Sequence, residues 1–190
     1  MITEKGCDIV IYYTADLHFG HKNVIRFDSR PFIDVDEMDR YIIDMWNLRV
    51  KDDDHVYIVG DVSLNNSLPV EKYLGQLKGH KHLIRGNHDG KLLKNQKAME
   101  FFESVDDILE ISDEGRRICI CHYPMAEWPG YYRGAWHIYG HIHNNKNEAY
   151  YIMKDKEKAL NAGCCINNYM PVTFEELVTN NKHFKENEDE

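Results

Sequence analysis

The sequence has no stretch that approaches the ~20 consecutive apolar residues needed to span a bilayer. Its first eight residues also lack a basic segment followed by an apolar one, the pattern of a secretory signal. We therefore expect a soluble, cytoplasmic protein with no membrane partner.

Cysteine is sparse, and its placement argues against a disulfide scaffold. The five residues are Cys7, Cys119, Cys121, Cys164 and Cys165. The number is odd, and no pair has CxxC or zinc-type spacing. The last four lie in apolar runs, so small buried thiols are expected. A redox or metal role for the adjacent pair is the alternative.

Basic residues are outnumbered: 23 Lys and Arg against 32 Asp and Glu give a net charge of -9. A protein that binds a long nucleic acid through its phosphates needs a basic face, so no such partner is expected. No repeat, low-complexity segment or linker divides the chain. We expect one domain over residues 1–183, followed by a charged tail over 184–190 that is expected to be disordered.

Strands and helices alternate in the first half of the chain and strands dominate the second, which predicts the α/β class. The predicted strands are 9–13, 55–59, 81–84, 108–111, 117–121, 135–139, 150–153 and 159–162. Asp34 and Glu37 form a capping box for one predicted helix. Further helices are expected over 69–77 and 173–178. This order predicts a parallel sheet with a mixed or second sheet packed on it.

Polar residues suited to metal binding follow the predicted strands or lie in one late loop. They form Asp16-Leu17-His18, Gly60-Asp61, Gly86-Asn87-His88-Asp89, His122 and Gly140-His141-Ile142-His143. Ligands of α/β sheets bind beyond the carboxyl ends of the strands. Oxygen and imidazole donors without thiolate suit two clustered divalent ions such as Mn, Fe, Zn, Co or Ni. A glycine before Asp61, Asn87 and His141 is expected to let the backbone turn sharply.

In chain order these motifs read DxH, GD, GNH, H and GHxH, and the set resembles the calcineurin-like metallophosphoesterase superfamily. Segments around the motifs resemble small bacterial and phage members. They are 16–21, 46–47, 56–61, 122–124 and 161–163. The resemblance implies a four-layer α/β/β/α sandwich of two mixed sheets flanked by helices, in agreement with the predicted element order.

The resemblance also implies a role for each motif residue. Asp16, His18, Asp61 and His143 would bind one metal ion. Asp61, Asn87, His122 and His141 would bind the other, which makes Asp61 the bridging carboxylate. The implied reaction is hydrolysis of a phosphate monoester or diester by in-line attack of a metal-bridging hydroxide.

Catalytic roles beyond the metal ligands are expected for two residues. By the same resemblance His88 would protonate the leaving oxygen, and Asp89 would orient its imidazole. Mn is the ion favoured for an assay. The expected substrate is a small phosphate ester, with a nucleotide as one candidate. A nuclease acting on short nucleic acid and a metal-binding scaffold with little catalysis are the alternatives.

Contacts with the substrate phosphate are predicted for Asn87, His88, Arg26 and Arg133. Arg26 and Arg30 follow the first motif, but either could instead form a salt bridge with a nearby aspartate. The aromatic segment 127–136, which contains Arg133, is interpreted as a loop over the site that stacks on a base or aryl group. A packing lid or dimer surface is the alternative.

The remaining histidines are interpreted more simply. His21 either touches the substrate or a ligand, or lies in an exposed loop. His55, His80 and His82 lie at strand starts and are expected to be surface or packing residues, and His137 is read in the same way.

Overall fold

The computed structural model describes residues 9–64 and 69–186, and within them two four-stranded sheets form the centre of the molecule. Cys7 and residues 187–190 of the predicted tail lie outside the described residues. The other four cysteines are free thiols. Three are buried and Cys165 is half-buried.

The first sheet consists of four parallel strands in the order β1-β2-β3-β4. They are β1 (Ile11–Thr14), β2 (His55–Ile58), β3 (His80–Ile84) and β4 (Phe102–Asp106). The helices that connect or flank them are α1 (Lys22–Phe27), α2 (Val35–Arg49), α3 (Glu71–Leu74) and α4 (Gln96–Met99). An isolated antiparallel bridge between Tyr13 and Val172 adds the only non-parallel pairing found at this sheet within the described ranges.

The second sheet is mixed, as expected. Its strands are β5 (Ile108–Asp113), β6 (Arg116–Cys121), β7 (Trp136–Tyr139) and β8 (Ala159–Asn161). Strands β5 and β6 form an antiparallel hairpin, whereas β6, β7 and β8 run parallel. The later helices are α5 (Glu148–Lys154) and α6 (Phe174–Glu186).

The two sheets pack face to face because apolar residues alternate along their strands. Tyr13 and Val59 from the first sheet share a buried cluster with Ile118, Ile120 and Ile138 from the second. The opposite face of the first sheet packs on α2 and α3, and that of the second packs on α5. The predicted α/β/β/α sandwich is therefore confirmed.

Helix α2 shows how the sequence sets a layer. Asp34 accepts a hydrogen bond from the Glu37 amide at 2.8 Å, which satisfies a free amide of the first turn. Met38, Ile42 and Trp46 then recur at helical spacing and are fully buried against the first sheet.

The structure differs from the predicted elements in several places. Residues 150–153 form part of helix α5, because Asn147 caps the Tyr150 amide and Tyr150 and Met153 bury the same face. Strand β4 and helices α1 and α4 were not predicted, since all three are short. Helix α6 continues to Glu186, three residues into the segment predicted as a disordered tail. No helix in the described ranges has the length and apolarity required to cross a bilayer.

Candidate metal centre

The five predicted motifs lie at one edge of the sandwich. Asp16, Asp61 and Asn87 follow the ends of β1, β2 and β3, and His122 and His141 follow the ends of β6 and β7. Strands β1, β2 and β3 run parallel to one another, and β6 runs parallel to β7, so the carboxyl ends within each set lie at the same edge of their sheet.

A first group of donors consists of Asp16, His18, Asp61 and His143. One donor atom from each lies within 4.8 Å of the others. The Nε2 atoms of His18 and His143 are 3.1 Å apart, and Nε2 of His143 lies 3.7 Å from Oδ1 of Asp16. Burial raises the pKa of Asp16 to about 6 and lowers the pKa of His18 far below its usual range, because both side chains are removed from water.

A second group is centred on the side-chain oxygen of Asn87. Oδ1 of Asn87 lies 2.9 Å from Nε2 of His122 and 2.9 Å from Nδ1 of His141. Oδ2 of Asp61 stands between the two groups, 3.8 Å from Nε2 of His18 and 3.6 Å from Nε2 of His122. All seven predicted metal ligands are therefore brought together.

The backbone at these residues is unusual. Among the described residues nine that are not glycine have a positive φ, and five of them are Asp16, His18, Asp61, His141 and His143. The left-handed region is costly for residues with a Cβ, although Asp, Asn and His tolerate it better than most. Backbone strain of this kind concentrates at functional sites. Here it occurs at five of the seven predicted metal ligands.

The glycines that precede Asp61, Asn87 and His141 allow close packing more than they allow sharp turns. Gly60 alone has a positive φ, of 84°, and a Cβ there would lie 2.3 Å from Nδ1 of His122. A Cβ on Gly86 would lie 2.3 Å from Oδ1 of Asp61, and one on Gly140 would lie 2.8 Å from the Ala15 Cβ. The predicted sharp turn thus applies to Gly60, whereas Gly86 and Gly140 let backbone approach ligand side chains.

Neighbouring groups fix which ring nitrogens are available for binding. Nδ1 of His122 donates to the carbonyl of Val59 at 2.8 Å, and Nδ1 of His143 donates to Oδ2 of Asp28 at 2.8 Å. Each bond leaves the Nε2 lone pair directed into the cluster, as in histidines that bind metals. Burial acts to lower the pKa of His143, but the bond to Asp28 and the charge of Asp16 outweigh it and raise this pKa.

The donor set therefore fits divalent ions. Two carboxylates, an amide oxygen and four imidazoles meet in a partly buried cluster, and Nε2 of His18 lies 3.1 Å from Nε2 of His143. Imidazole and carboxylate together favour Mn, Fe, Zn, Co or Ni.

His88 and Asp89 differ in their placement. The His88 ring is exposed at the mouth of the cluster, 5.6 Å between centroids from the ring of His18. The carboxylate of Asp89 is fully buried and accepts hydrogen bonds from the amides of Asp61, Val62 and Gly86 at 2.8–2.9 Å. Asp89 thus holds the backbone around Asp61, and its predicted role of orienting the His88 imidazole stays a prediction.

The arginines also differ from one another. Arg30 is buried, pairs with Asp28 at 3.0 Å and donates to the carbonyls of Asp16 and Leu17, so the salt-bridge alternative holds for it. Arg26 is exposed, with its guanidinium 5.4 Å from the centre of the Phe27 ring. Its predicted contact with substrate remains a prediction.

The aromatic segment 127–136 does not cover the cluster. It leads into the amino end of β7 at Trp136, whereas His141 follows the carboxyl end of that strand. Trp128 packs on the outer face of the second sheet and stacks on His137. Arg133 precedes Gly134, which lies beside Lys158 at the amino end of β8. The segment therefore fits the packing alternative. Its place at the amino end of β7 gives no support to the predicted contact of Arg133 with phosphate, which stays a prediction.

Two residues near the cluster extend the predicted set. His21 is half-buried with its ring 5.5 Å from that of His18, so it lies beside the site rather than in an open loop. Asp28 was considered only as a salt-bridge partner, yet it contacts both His143 and Arg30. No sequence spacing connects Asp28 with His143, which lies 115 positions later.

Comparison with known proteins agrees with this geometry. The family model of the calcineurin-like phosphoesterase superfamily domain matches residues 11–174. An uncharacterized protein of Methanocaldococcus jannaschii is 33% identical over 170 residues, which cover 88% of this chain and 89% of that protein. The gene 66 protein of Mycobacterium phage L5 is 32% identical over 118 residues, covering 60% of this chain and 56% of that protein.

A solved structure shows the same fold. A protein of unknown function from Aquifex aeolicus superposes with a TM-score of 0.72 at 23% identity, and the match covers 90% of this chain and 99% of that one.

Proposed function

The chain belongs to the calcineurin-like phosphoesterase superfamily, and from this membership we propose that it hydrolyses a phosphate ester with two divalent metal ions. Asp16, His18, Asp61 and His143 hold one ion. Asp61, Asn87, His122 and His141 hold the other. Mn, Fe, Zn, Co and Ni are the candidate ions because the donors are oxygen and imidazole nitrogen.

One observation carries the two-ion proposal. Oδ2 of Asp61 lies between the two donor groups, within 3.8 Å of a histidine nitrogen in each. Oδ1 of the same carboxylate accepts from the His88 amide at 2.8 Å, so the side chain is held from one side and Oδ2 remains for the cluster. A carboxylate in this position suits a bridge between neighbouring ions.

The chemistry divides between the ions and the chain. When bound, a pair of divalent ions supplies an activated water as the nucleophile and offsets the charge of the phosphoryl oxygens. Asp61 and Asn87 set the spacing of the donors, and Asp89 holds the backbone that carries Asp61. His88, exposed beside the cluster, is placed to contact the phosphate and to give a proton to the leaving oxygen.

The proposed substrate is a small or medium phosphate ester, with nucleotides among the candidates. The net charge of -9 gives no support to a long nucleic acid as the substrate. Preference for a monoester or a diester is left to the assay.

The test is hydrolysis by metal-stripped protein that has been reloaded with Mn(II). Initial rates are measured on bis-p-nitrophenyl phosphate and on p-nitrophenyl phosphate, with bound metal counted by elemental analysis. The Asp61→Asn variant is compared with Asp44→Asn, which changes an exposed aspartate of α2. We expect turnover of at least one ester, a loss of about a hundredfold or more in Asp61→Asn, and a wild-type rate in Asp44→Asn.

Two results would contradict the proposal. One is normal turnover by an Asp61→Asn protein that still binds two ions. The other is no turnover of either ester with any candidate ion, in protein shown to hold two ions, which would instead favour a scaffold.

A further inference from the structure

A second group of side chains that could hold a metal ion lies at the opposite edge of the first sheet. It comprises His55, His80, His82 and Glu103, named here the histidine cluster. These residues lie at or near the amino ends of β2, β3 and β4, whereas the candidate metal centre follows the carboxyl ends. None of the four was predicted to have a function.

The strand register brings the histidines together. His55 pairs with His80, and Tyr57 pairs with His82. Because side chains alternate along a strand, His55, His80 and His82 point to the same face of the sheet. Their rings pack closely, with the His55 ring centroid 5.0 Å from that of His80 and 5.2 Å from that of His82.

A β-bulge adds Glu103 to this face. Lys81 pairs with Phe102 and His82 pairs with Ser104, so Glu103 is an extra residue in β4. A bulge redirects a side chain that regular alternation would send to the other face. As a result two consecutive residues of β4 lie close to His82. Oε2 of Glu103 is 3.9 Å from Nε2 of His82, and Oγ of Ser104 is 3.1 Å from Nδ1 of His82.

The donor atoms have the spacing of a metal site. One atom each from His55, His82 and Glu103 lies within 4.8 Å of the others, and Nδ1 of His55 is 2.9 Å from Nε2 of His82. Oγ of Ser104 can accept a hydrogen bond from Nδ1 of His82, which leaves the lone pair of Nε2 directed toward the cluster. His80 contacts the other oxygen of Glu103 and so helps to hold that carboxylate beside the two imidazoles.

The histidine cluster is open to solvent. The side chains of His80 and Glu103 are 42% and 47% exposed, so an ion can enter from solvent.

We propose that the histidine cluster binds one divalent transition-metal ion, with Nδ1 of His55, Nε2 of His82 and a Glu103 oxygen as ligands. Two imidazoles and one carboxylate select Zn(II), Co(II), Ni(II) or Cu(II) over Mg(II) and Ca(II). The ion joins three adjacent strands, including the edge strand β4, so its role is to stabilise the first sheet. This site is separate from the candidate metal centre and does not depend on the proposed hydrolysis.

The experiment counts zinc in the full chain. Metal-stripped protein is dialysed against Zn(II), and the bound ions are measured per chain in wild type, His82→Gln, Glu103→Gln and the control His183→Gln. His183 is an exposed histidine of α6, so the control removes an imidazole without touching the cluster. Glu103 is exposed enough that its variant is expected to fold, and circular dichroism checks each protein.

We expect wild type and His183→Gln to bind one ion more per chain than His82→Gln and Glu103→Gln. The Asp61→Asn protein should keep this additional ion. Zn(II) should also raise the melting temperature less in the two cluster variants, because a ligand that binds only the native state adds stability.

A further readout is the spectrum of the bound metal. The absorption spectrum of His82→Gln loaded with Co(II) is subtracted from that of wild type loaded with Co(II). The difference should show a Co(II) ion with imidazole and oxygen ligands. Equal Zn(II) stoichiometry in all folded variants would overturn the proposal. So would an additional ion that disappears in Asp61→Asn but persists in His82→Gln.

Discussion

Oδ2 of Asp28 accepts a hydrogen bond from Nδ1 of His143 at 2.8 Å. The same oxygen accepts from Nη2 of Arg30 at 3.0 Å, and Arg30 also donates to the carbonyl of Asp16 at 2.9 Å. One buried ion pair thus sets both the ring orientation of His143 and the backbone position of Asp16, two predicted ligands of the same ion.

Asp28→Asn should weaken metal binding without unfolding the protein. An asparagine in this place can turn an amide N–H toward His143, which would change the tautomer that presents Nε2. Loss of a group that orients a metal-binding histidine costs about 10–100-fold in affinity. Competition with a chromophoric chelator measures the change, and Asp44→Asn is the matched control. Unchanged affinity in a folded Asp28→Asn protein would contradict the orienting role.

Asp89→Ala should lower both stability and metal occupancy. Three buried amides lose a charged acceptor, and hydrogen bonds to charged groups contribute about 1.5–3 kcal/mol each, so we expect a loss of at least about 3 kcal/mol. Urea unfolding measures the stability, with Asp44→Ala as control. If Asp89 instead oriented the His88 imidazole, Asp89→Ala would keep its metal ions. Only the dependence of the hydrolysis rate on the leaving group would then change.

The motifs of the candidate centre could be predicted because they are local. Each is a short segment directly after a strand, and parallel strands bring such segments to one edge. The same reasoning did not locate the aromatic segment 127–136, because the connection from β6 to β7 runs over the outer face of the sheet and enters β7 at its amino end. A segment that lies between two motifs in the chain therefore need not lie over the site in the structure.

The supporting groups could not be predicted because they depend on tertiary packing. Asp28 meets His143 only after the two sheets are packed, and Asp89 turns its carboxylate to backbone amides that have no sequence signature. Strand β4 escaped prediction because it is an edge strand with alternate exposed residues such as Glu103. Its bulge, which forms the histidine cluster, is a property of pairing rather than of composition.

His88→Ala should retain the metal ions but slow hydrolysis selectively. A general acid matters most when the leaving alkoxide is a strong base, and general acid catalysis contributes about 10²–10⁴-fold. Alkyl phosphate esters should therefore slow much more than p-nitrophenyl esters. Rates for both classes are compared at equal metal occupancy, with His183→Ala as the control. Equal slowing of both classes would show that His88 does not act chiefly as the acid.

His137 should make the stability of the protein depend on pH. Its ring is fully buried, Nδ1 donates to the carbonyl of Cys119 at 3.1 Å, and Nε2 accepts from the Met125 amide at 3.2 Å. Protonation would place two N–H groups against each other. Burial accordingly lowers the pKa of His137 to about 4, from 6.5 in an unfolded chain.

Because the unfolded state takes up the proton first, the contribution of His137 to stability is complete above pH 6.5 and is lost as the pH falls toward 4. A difference of about 2.5 pKa units corresponds to about 3 kcal/mol. His137→Asn keeps a donor for the Cys119 carbonyl but cannot titrate. We expect the free energy of unfolding of wild type minus that of His137→Asn to be largest at pH 7. This difference should be smaller by about 3 kcal/mol at pH 4. Urea unfolding of both proteins across this pH range measures the difference. The metal ligands are the same in both proteins, so their contribution to the pH dependence cancels. A difference independent of pH would show that His137 is not held neutral by the fold.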